Sequence, residues 1–108
     1  MNVRFSDRAI RCRATSAELE RLLTGRAITL ELCLPRDRRF LVNVRSAALE
    51  TWQLDSDPTG IWVSIPRSRL QELAKTLPNK EGIEHGFETV QGSIVVSFEV
   101  DVKRQASA

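Results

Sequence analysis

The sequence predicts an α+β domain built from two tandem ββαββ units, folded as a curved antiparallel sheet or an open barrel with two helices packed on it. Short segments that alternate apolar and polar residues indicate strands, and two segments with apolar residues at helical spacing indicate helices. The same order of hairpin, helix and hairpin occurs twice, at about residues 1–46 and 49–102. These three observations carry the prediction of the fold class.

The size and composition of the chain favour one domain. Its 108 residues suffice for a single core, and 42% hydrophobic with 28% charged residues lies outside the range of disordered chains. No apolar run reaches the roughly 18–20 residues that cross a bilayer, and the opening residues lack the apolar segment of a signal peptide. We therefore expect a single domain over residues 1–108, located in the cytoplasm.

The first unit begins with a hairpin and a capped helix. Alternating "VRF" and "IRCR" flank "SDRA", whose serine and aspartate favour a turn. In "TSAELERLLTG", Thr15 and Glu18 have the spacing of a capping box, the leucines share one helical face, and Gly25 predicts the end of the helix. The segments "AITLELCLP" and "FLVNVR" then alternate on either side of "RDRR" and predict a second hairpin with one buried face.

The second unit repeats this order. The segments "ALETWQL" and "GIWVSIP" bracket the turn "DSDPT" and predict a hairpin. "PRSRLQELAKTLP" places a proline in the first turn of a helix and repeats apolar residues at helical spacing. "GIEHGFETV" and "SIVVSFEVDV" predict the closing hairpin.

The two units align with each other in sequence. A shift of 51 positions places Ile10, Cys12, Ala14, Leu19, Leu22 and Leu23 on Ile61, Val63, Ile65, Leu70, Leu73 and Ala74. A shift of 54 places Phe40, Val42 and Val44 on Ile94, Val96 and Phe98. The alignment predicts a duplication related by an approximate two-fold axis. A chance match between two strand-and-helix patterns is the alternative.

The opening "NVRFSDRAIRCRATSAELERLL", with the later "VSIP" strand, resembles a family of small uncharacterised bacterial proteins. In that family a basic hairpin leads through an Arg-x-Arg-x-Thr-x-x-Glu pattern into the first helix, and Arg11, Arg13, Thr15 and Glu18 match it. The family is a domain of unknown function, so this resemblance implies no activity.

A weaker resemblance concerns residues 60–77, "GIWVSIPRSRLQELAKTL". Their strand, Ile-Pro pair and helix are similar to those of AbrB-type swapped-hairpin DNA-binding domains and related antitoxins. This resemblance implies a dimeric regulator.

Arginines supply the candidate binding site. Residues 1–45 hold ten basic and five acidic residues, whereas residues 46–108 hold six basic and nine acidic residues. If Cys12 faces the core, strand alternation places its two arginine neighbours together on the opposite face. The predicted ligand-binding residues are Arg4, Arg11, Arg13, Arg39 and Arg45. Such a face could bind an anion. Alternatively, it is a solvated strand face whose arginines pair with Glu31, Glu99 or Asp101.

The remaining chemically active residues predict no catalytic site. Alternation places Glu84 and Glu88 on the face opposite His85, so no histidine–carboxylate pair is expected. No cluster has the spacing of metal ligands, and we assign neither a metal nor a cofactor.

The cysteines and tryptophans have structural interpretations. Cys12 and Cys33 are interpreted as buried reduced thiols, with Cys33 the more accessible. Trp52 and Trp62 fall on the two arms of the middle hairpin, where we expect a core or cross-strand role.

The sequence does not disclose a biochemical function, but it orders the candidates. First comes a binding or interaction module whose arginine-rich N-terminal face binds an anionic small molecule or an acidic protein partner. The alternative is a DNA-binding or antitoxin-like dimeric regulator, and the third candidate is an enzyme acting on a phosphorylated substrate. We expect a monomer or homodimer that does not bind a membrane.

Overall fold

A computed structural model describes residues 1–78 and 81–101, with an α+β fold of eight strands and two helices. The elements are, in chain order, β1 (Asn2–Ser6), β2 (Ala9–Thr15), α1 (Ser16–Leu23), β3 (Ile28–Leu34), β4 (Arg38–Ala47), β5 (Gln53–Asp57), β6 (Gly60–Pro66), α2 (Arg67–Lys75), β7 (Ile83–Thr89) and β8 (Gly92–Asp101). Sheet A has the strand order β1-β2-β8-β7, and sheet B has the order β3-β4-β6-β5. In the described ranges, neither helix has the length and apolar character needed to span a membrane.

Both sheets are mixed. The outer pairs of each sheet are antiparallel hairpins, whereas the central strands run parallel, β2 beside β8 and β4 beside β6. Each sheet thus joins one hairpin from each half of the chain. The expectation of one curved antiparallel sheet or an open barrel was wrong here, because apolar alternation identifies a strand but does not say which hairpins pair or in which direction.

The two central strand pairs have equivalent registers. In sheet A, Ile10 lies opposite Val96. In sheet B, Ile61 lies opposite Val42. Ile61 is the position that a shift of 51 assigns to Ile10, and Val42 is the position that a shift of 54 assigns to Val96. The shifts found in the sequence therefore relate one central pair to the other.

The helices share one apolar core with both sheets. Helix α1 contacts β2 and β8 of sheet A, β3 and β4 of sheet B, and α2. The largest fully buried side chains include Phe98, Leu22, Ile65, Leu70 and Leu73. Because the apolar faces of the strands are used here, the alternate residues of the same strands point away from the core.

Both ends of α1 have specific caps. Thr15 Oγ1 accepts a hydrogen bond from the backbone N–H of Glu18 at 3.1 Å, and the Glu18 carboxylate accepts one from the Thr15 N–H at 2.9 Å. At the other end, Gly25 has a φ of +91°, and the following N–H of Arg26 donates to the carbonyl of Arg21 at 2.8 Å. The sequence prediction for this helix is confirmed at both ends.

The cap of α2 differs from the prediction. Pro66 is the last residue of β6 and precedes the first helical residue, Arg67, so it does not lie in the first turn. No side chain caps this end of the helix. Pro66 has a φ of −55° and a ψ of 132°, which is an extended conformation, so the helix begins at the next residue.

The Thr15→Ala substitution is expected to lower the free energy of unfolding by about 0.5–2 kcal/mol, because it removes the acceptor for the Glu18 N–H. Thr15→Ser keeps a hydroxyl at this position and should retain most of the stability. Urea unfolding followed by circular dichroism measures both changes. Equal losses in the two variants would show that the hydroxyl is not what matters at this position.

Glu18 also binds the chain terminus. Its Oε2 lies 2.8 Å from the Met1 ammonium. Partial burial by itself raises the pKa of this carboxyl group, but the hydrogen bonds and the charge of the ammonium, together with the hydrogen bonds from Thr15, lower it overall. Glu18 therefore stays ionised at neutral pH and ties β1 to the start of α1.

Candidate anion-binding face

Three of the predicted arginines lie together on the outer face of sheet A. Cys12 is buried in the core, so its strand neighbours Arg11 and Arg13 point outward. Within the β1–β2 hairpin, Arg4 lies directly opposite Arg11. With Asn2 and Glu99, these arginines line a shallow depression.

Arg13 is held by a carboxylate of the neighbouring strand. Its Nε donates to Glu99 Oε1 at 2.9 Å, and the register of β2 and β8 places the two residues side by side. The Glu99 side chain is only 15% exposed, which limits the competition from water for this contact. The pairing with Glu99 that the sequence left open is therefore present for Arg13.

Arg4 and Arg11 are different. Among residues 1–78 and 81–101, no carboxylate forms an ion pair with either guanidinium, and no side-chain hydrogen bond involves either. Like charges directly opposite each other on an antiparallel pair are destabilising. The hairpin thus holds two cations together without an ion-pair partner for either of them in the described part of the chain.

The other two predicted arginines belong to sheet B. Arg39 lies on β4 and pairs with Glu31 on β3, with 3.1 Å between Arg39 NH1 and Glu31 Oε2. Arg45, also on β4, donates from Nε to Ser64 Oγ at 3.1 Å. The expectation of one face with five arginines was wrong, because β4 enters the second sheet, a pairing that no local pattern reports.

The outer face of sheet A changes sign between its two edges. Its far half, formed by β8 and β7, places Glu84 and Glu88 on the same side of the sheet as Glu99. Ser97 separates Arg11 from Glu84 in the register. Sequence reasoning missed this acidic half. The polar residues of the last predicted strand indicated such a half. They could be placed beside the arginines only with the knowledge that β2 and β8 are neighbours.

The two cysteines occupy different environments, and both are free thiols. Burial raises the pKa of the Cys12 thiol to about 11, so this thiol stays protonated and unreactive. Cys33 is exposed on the outer face of sheet B, opposite Arg39. The interpretation of both as buried thiols was therefore wrong for Cys33, because β3 is an edge strand and its polar face is open.

The tryptophans do not face each other across a hairpin. Trp52 precedes β5, is buried, and stacks on His85 with 5.7 Å between ring centroids and 11° between planes. Phe87 lies edge-on to His85, with 4.9 Å between ring centroids. Trp62 lies on β6 opposite Asp55 and is partly exposed. The core role is thus confirmed for Trp52, whereas cross-strand stacking of the two rings was wrong because Trp52 lies outside β5.

The comparisons with known proteins add no assignment. The chain matches no family model, no curated protein and no solved structure. Within residues 1–78 and 81–101, no group of three or more His, Cys, Asp or Glu side chains could hold a metal ion. The outer face of sheet A must therefore be interpreted from its own residues.

Proposed function

We propose that this chain is a small binding module that uses Arg4 and Arg11 to bind an anionic ligand or an acidic protein partner. One observation carries the proposal, namely that these two guanidinium groups lie on directly opposite residues and have no carboxylate partner among the described residues. Each guanidinium can donate two parallel hydrogen bonds to a carboxylate or a phosphate. An anion between them would also relieve their mutual repulsion.

The fold itself does not require arginine at these positions. We infer that the two halves are copies of one ββαββ unit related by an approximate two-fold axis, which the equivalent registers support. The shift of 51 assigns Asp55 to Arg4 and Trp62 to Arg11. The same strand pair therefore forms in the second half without cations, so a role other than folding is favoured for Arg4 and Arg11.

The opening pattern supports a family assignment as part of this proposal. Arg11, Arg13, Thr15 and Glu18 match the pattern of the small uncharacterised bacterial proteins, and two of these residues form the capping box of α1. Within this pattern, Thr15 and Glu18 stabilise the start of α1, whereas Arg11 and Arg13 lie on the outer face of sheet A.

Binding of DNA is less well supported than binding of a short anion. The arginines of the outer face lie next to the acidic half, where Glu84 and Glu88 would repel a long polyanion that crossed the sheet. In residues 60–77, the segment that resembles AbrB-type domains, Arg69 Nε lies 3.2 Å from Glu72 Oε1 of the same helix. This cation is therefore partly neutralised.

The test is an NMR titration of the arginine Nε–H groups with malonate, phosphate and pyrophosphate, at low and moderate salt. Arg4 and Arg11 should show saturable shifts at both salt concentrations. A matched thermal unfolding series uses Arg4→Ala/Arg11→Ala beside Arg38→Ala/Arg39→Ala, which removes the same charge from sheet B. An anion present at about 100 times its Kd should raise the free energy of unfolding of the parent protein and of the sheet B variant by about 2.7 kcal/mol. It should not raise that of the Arg4/Arg11 variant.

Two results would contradict the proposal. One is the absence of saturable shifts at Arg4 and Arg11 for every anion. The other is equal stabilisation of both double variants, which would identify a nonspecific salt effect and leave these arginines as a solvated strand face.

A further inference from the structure

We propose that the ligand of this face is an extended acidic segment of a partner protein, which pairs with β1 as an added strand of sheet A. This inference rests on the proposed function, because Arg4 and Arg11 are the cations that would receive the acidic side chains. It adds that the backbone of β1 forms hydrogen bonds with the segment and is therefore the second part of the site.

The outer edge of β1 is free within the described residues. β1 is the edge strand of sheet A, and β2 is its only strand neighbour in the described part of the chain. Among residues 1–78 and 81–101, no turn or loop donates a backbone hydrogen bond to Asn2–Ser6 or accepts one from it. An unpaired edge presents a row of N–H and C=O groups that an extended peptide can satisfy.

The two faces of β1 differ in a way that suits one type of strand. Arg4 points to the outer face, whereas Phe5 points to the opposite face and is 52% exposed at the edge. Val3 lies on the same side as Phe5 and packs partly against the core. Since side chains alternate along a strand, a segment beside β1 would place every second residue near Arg4 and the others near Phe5. The complementary segment therefore alternates acidic and apolar residues.

Arg11 lies close enough to contribute. Neighbouring strands are about 4.8 Å apart, so Arg11 on β2 is about two strand spacings from an added strand. A guanidinium on its long flexible side chain can span much of that distance. Two acidic residues of the added strand would then neutralise a pair of cations that have no described partner.

The edges β7 and β5 would disfavour the same segment. On their outer faces, β7 carries Glu84 and Glu88, and β5 carries Asp55 and Asp57. On the fourth edge, β3, the outer face carries Glu31, whose carboxylate is paired with Arg39 of β4. An acidic strand beside β7 or β5 would place like charges beside each other, which is destabilising. β1 thus differs from these edges in lying beside two arginines, Arg4 and Arg11, that have no ion-pair partner among the described residues.

The first experiment measures binding of a short capped peptide in which glutamate alternates with valine. Its block isomer has the same composition with the glutamates grouped, and a lysine–valine peptide reverses the charge. Isothermal titration should give the alternating peptide an affinity about tenfold or more above that of the block isomer. Arg4→Ala and Phe5→Ala should each weaken binding several-fold, whereas the matched control Arg39→Ala should not.

Two N-methylated peptides test the backbone contact. One carries N-methyl groups on all glutamates and the other on all valines. Alternate residues of a strand direct their N–H groups to opposite edges. Strand addition therefore requires that one of these peptides loses binding and the other keeps it, and that NMR shifts concentrate on the β1 amides.

The outcomes separate this inference from the proposed function. If malonate or pyrophosphate binds at Arg4 and Arg11, but the alternating and block peptides bind equally and both N-methylated peptides bind, strand addition is overturned and the anion site stands. If neither the small anions nor the peptides bind, the proposed function fails as well. Concentration-dependent self-association that Arg4→Ala abolishes would overturn the inference in favour of a second copy, whose acidic edge strands would occupy β1.

Discussion

The Phe98→Ala substitution is expected to lower the free energy of unfolding by about 3–5 kcal/mol. Phe98 is fully buried on β8, one of the two central strands of sheet A. Its neighbours in the sheet are Cys12 on β2 and Ile83 on β7. Truncation removes the ring from a fully buried site on a strand that lies between β2 and β7, and the remaining cavity adds to the loss. Since the free energy of unfolding of domains of this size is about 5–15 kcal/mol, this loss is a large fraction of the total.

Urea unfolding followed by circular dichroism measures this loss, with Phe5→Ala as the matched control. Phe5 is in the same sheet, but about half of it is exposed, so its truncation should cost about 1 kcal/mol or less. Phe98→Leu retains most of the buried volume and should have an intermediate effect. If the two alanine variants lost equal stability, Phe98 would not be the centre of the core that we describe.

Gly60→Ala is expected to destabilise the protein by about 1–3 kcal/mol although it adds only a methyl group. Gly60 begins β6, opposite Leu41 of β4. A Cβ at this position would clash with the Leu41 carbonyl oxygen and would lie 3.0 Å from the Leu41 backbone nitrogen. Backbone atoms cannot rotate away as a flexible side chain can, so β4 and β6 would have to move apart.

Gly86→Ala is the control for this substitution. Gly86 also lies within a strand, β7, but a Cβ there meets no atom within 4 Å. Its replacement should be neutral or should stabilise the protein by up to about 1 kcal/mol, because alanine reduces the conformational entropy of the unfolded chain. Thermal unfolding of both variants compares the two positions. Equal destabilisation would mean that the contact with Leu41 is not the cause.

Local features of this fold were predictable from the sequence. Thr15 and Glu18 predicted the start of α1, because a capping box needs only four consecutive residues. Alternation along β2 is also a local pattern, and it correctly predicted that Cys12 is buried and that Arg11 lies on the outer face. Arg4 came next to Arg11 because a short hairpin determines its own register.

Contacts between distant segments were not predictable in the same way. Arg13 and Glu99 are 86 positions apart, and nothing in either segment identifies the other. Arg39 illustrates the same limit, since its strand alternates as β2 does yet enters the other sheet. The sequence therefore predicted the part of the candidate site that lies within the β1–β2 hairpin. It did not predict the acidic residues beside that hairpin, because their position depends on the parallel pairing of β2 and β8.

That pairing has a consequence for synthesis of the chain. As β1 and β2 leave the ribosome, the strand that lies beside β2 in sheet A has not yet been made, because β8 ends at Asp101. Sheet B likewise needs β6 beside β4. The nascent chain can form its first helix and hairpins early, but neither sheet can close until segments of the second half have emerged. Folding of the whole domain is therefore expected to wait until β8 has emerged from the ribosome.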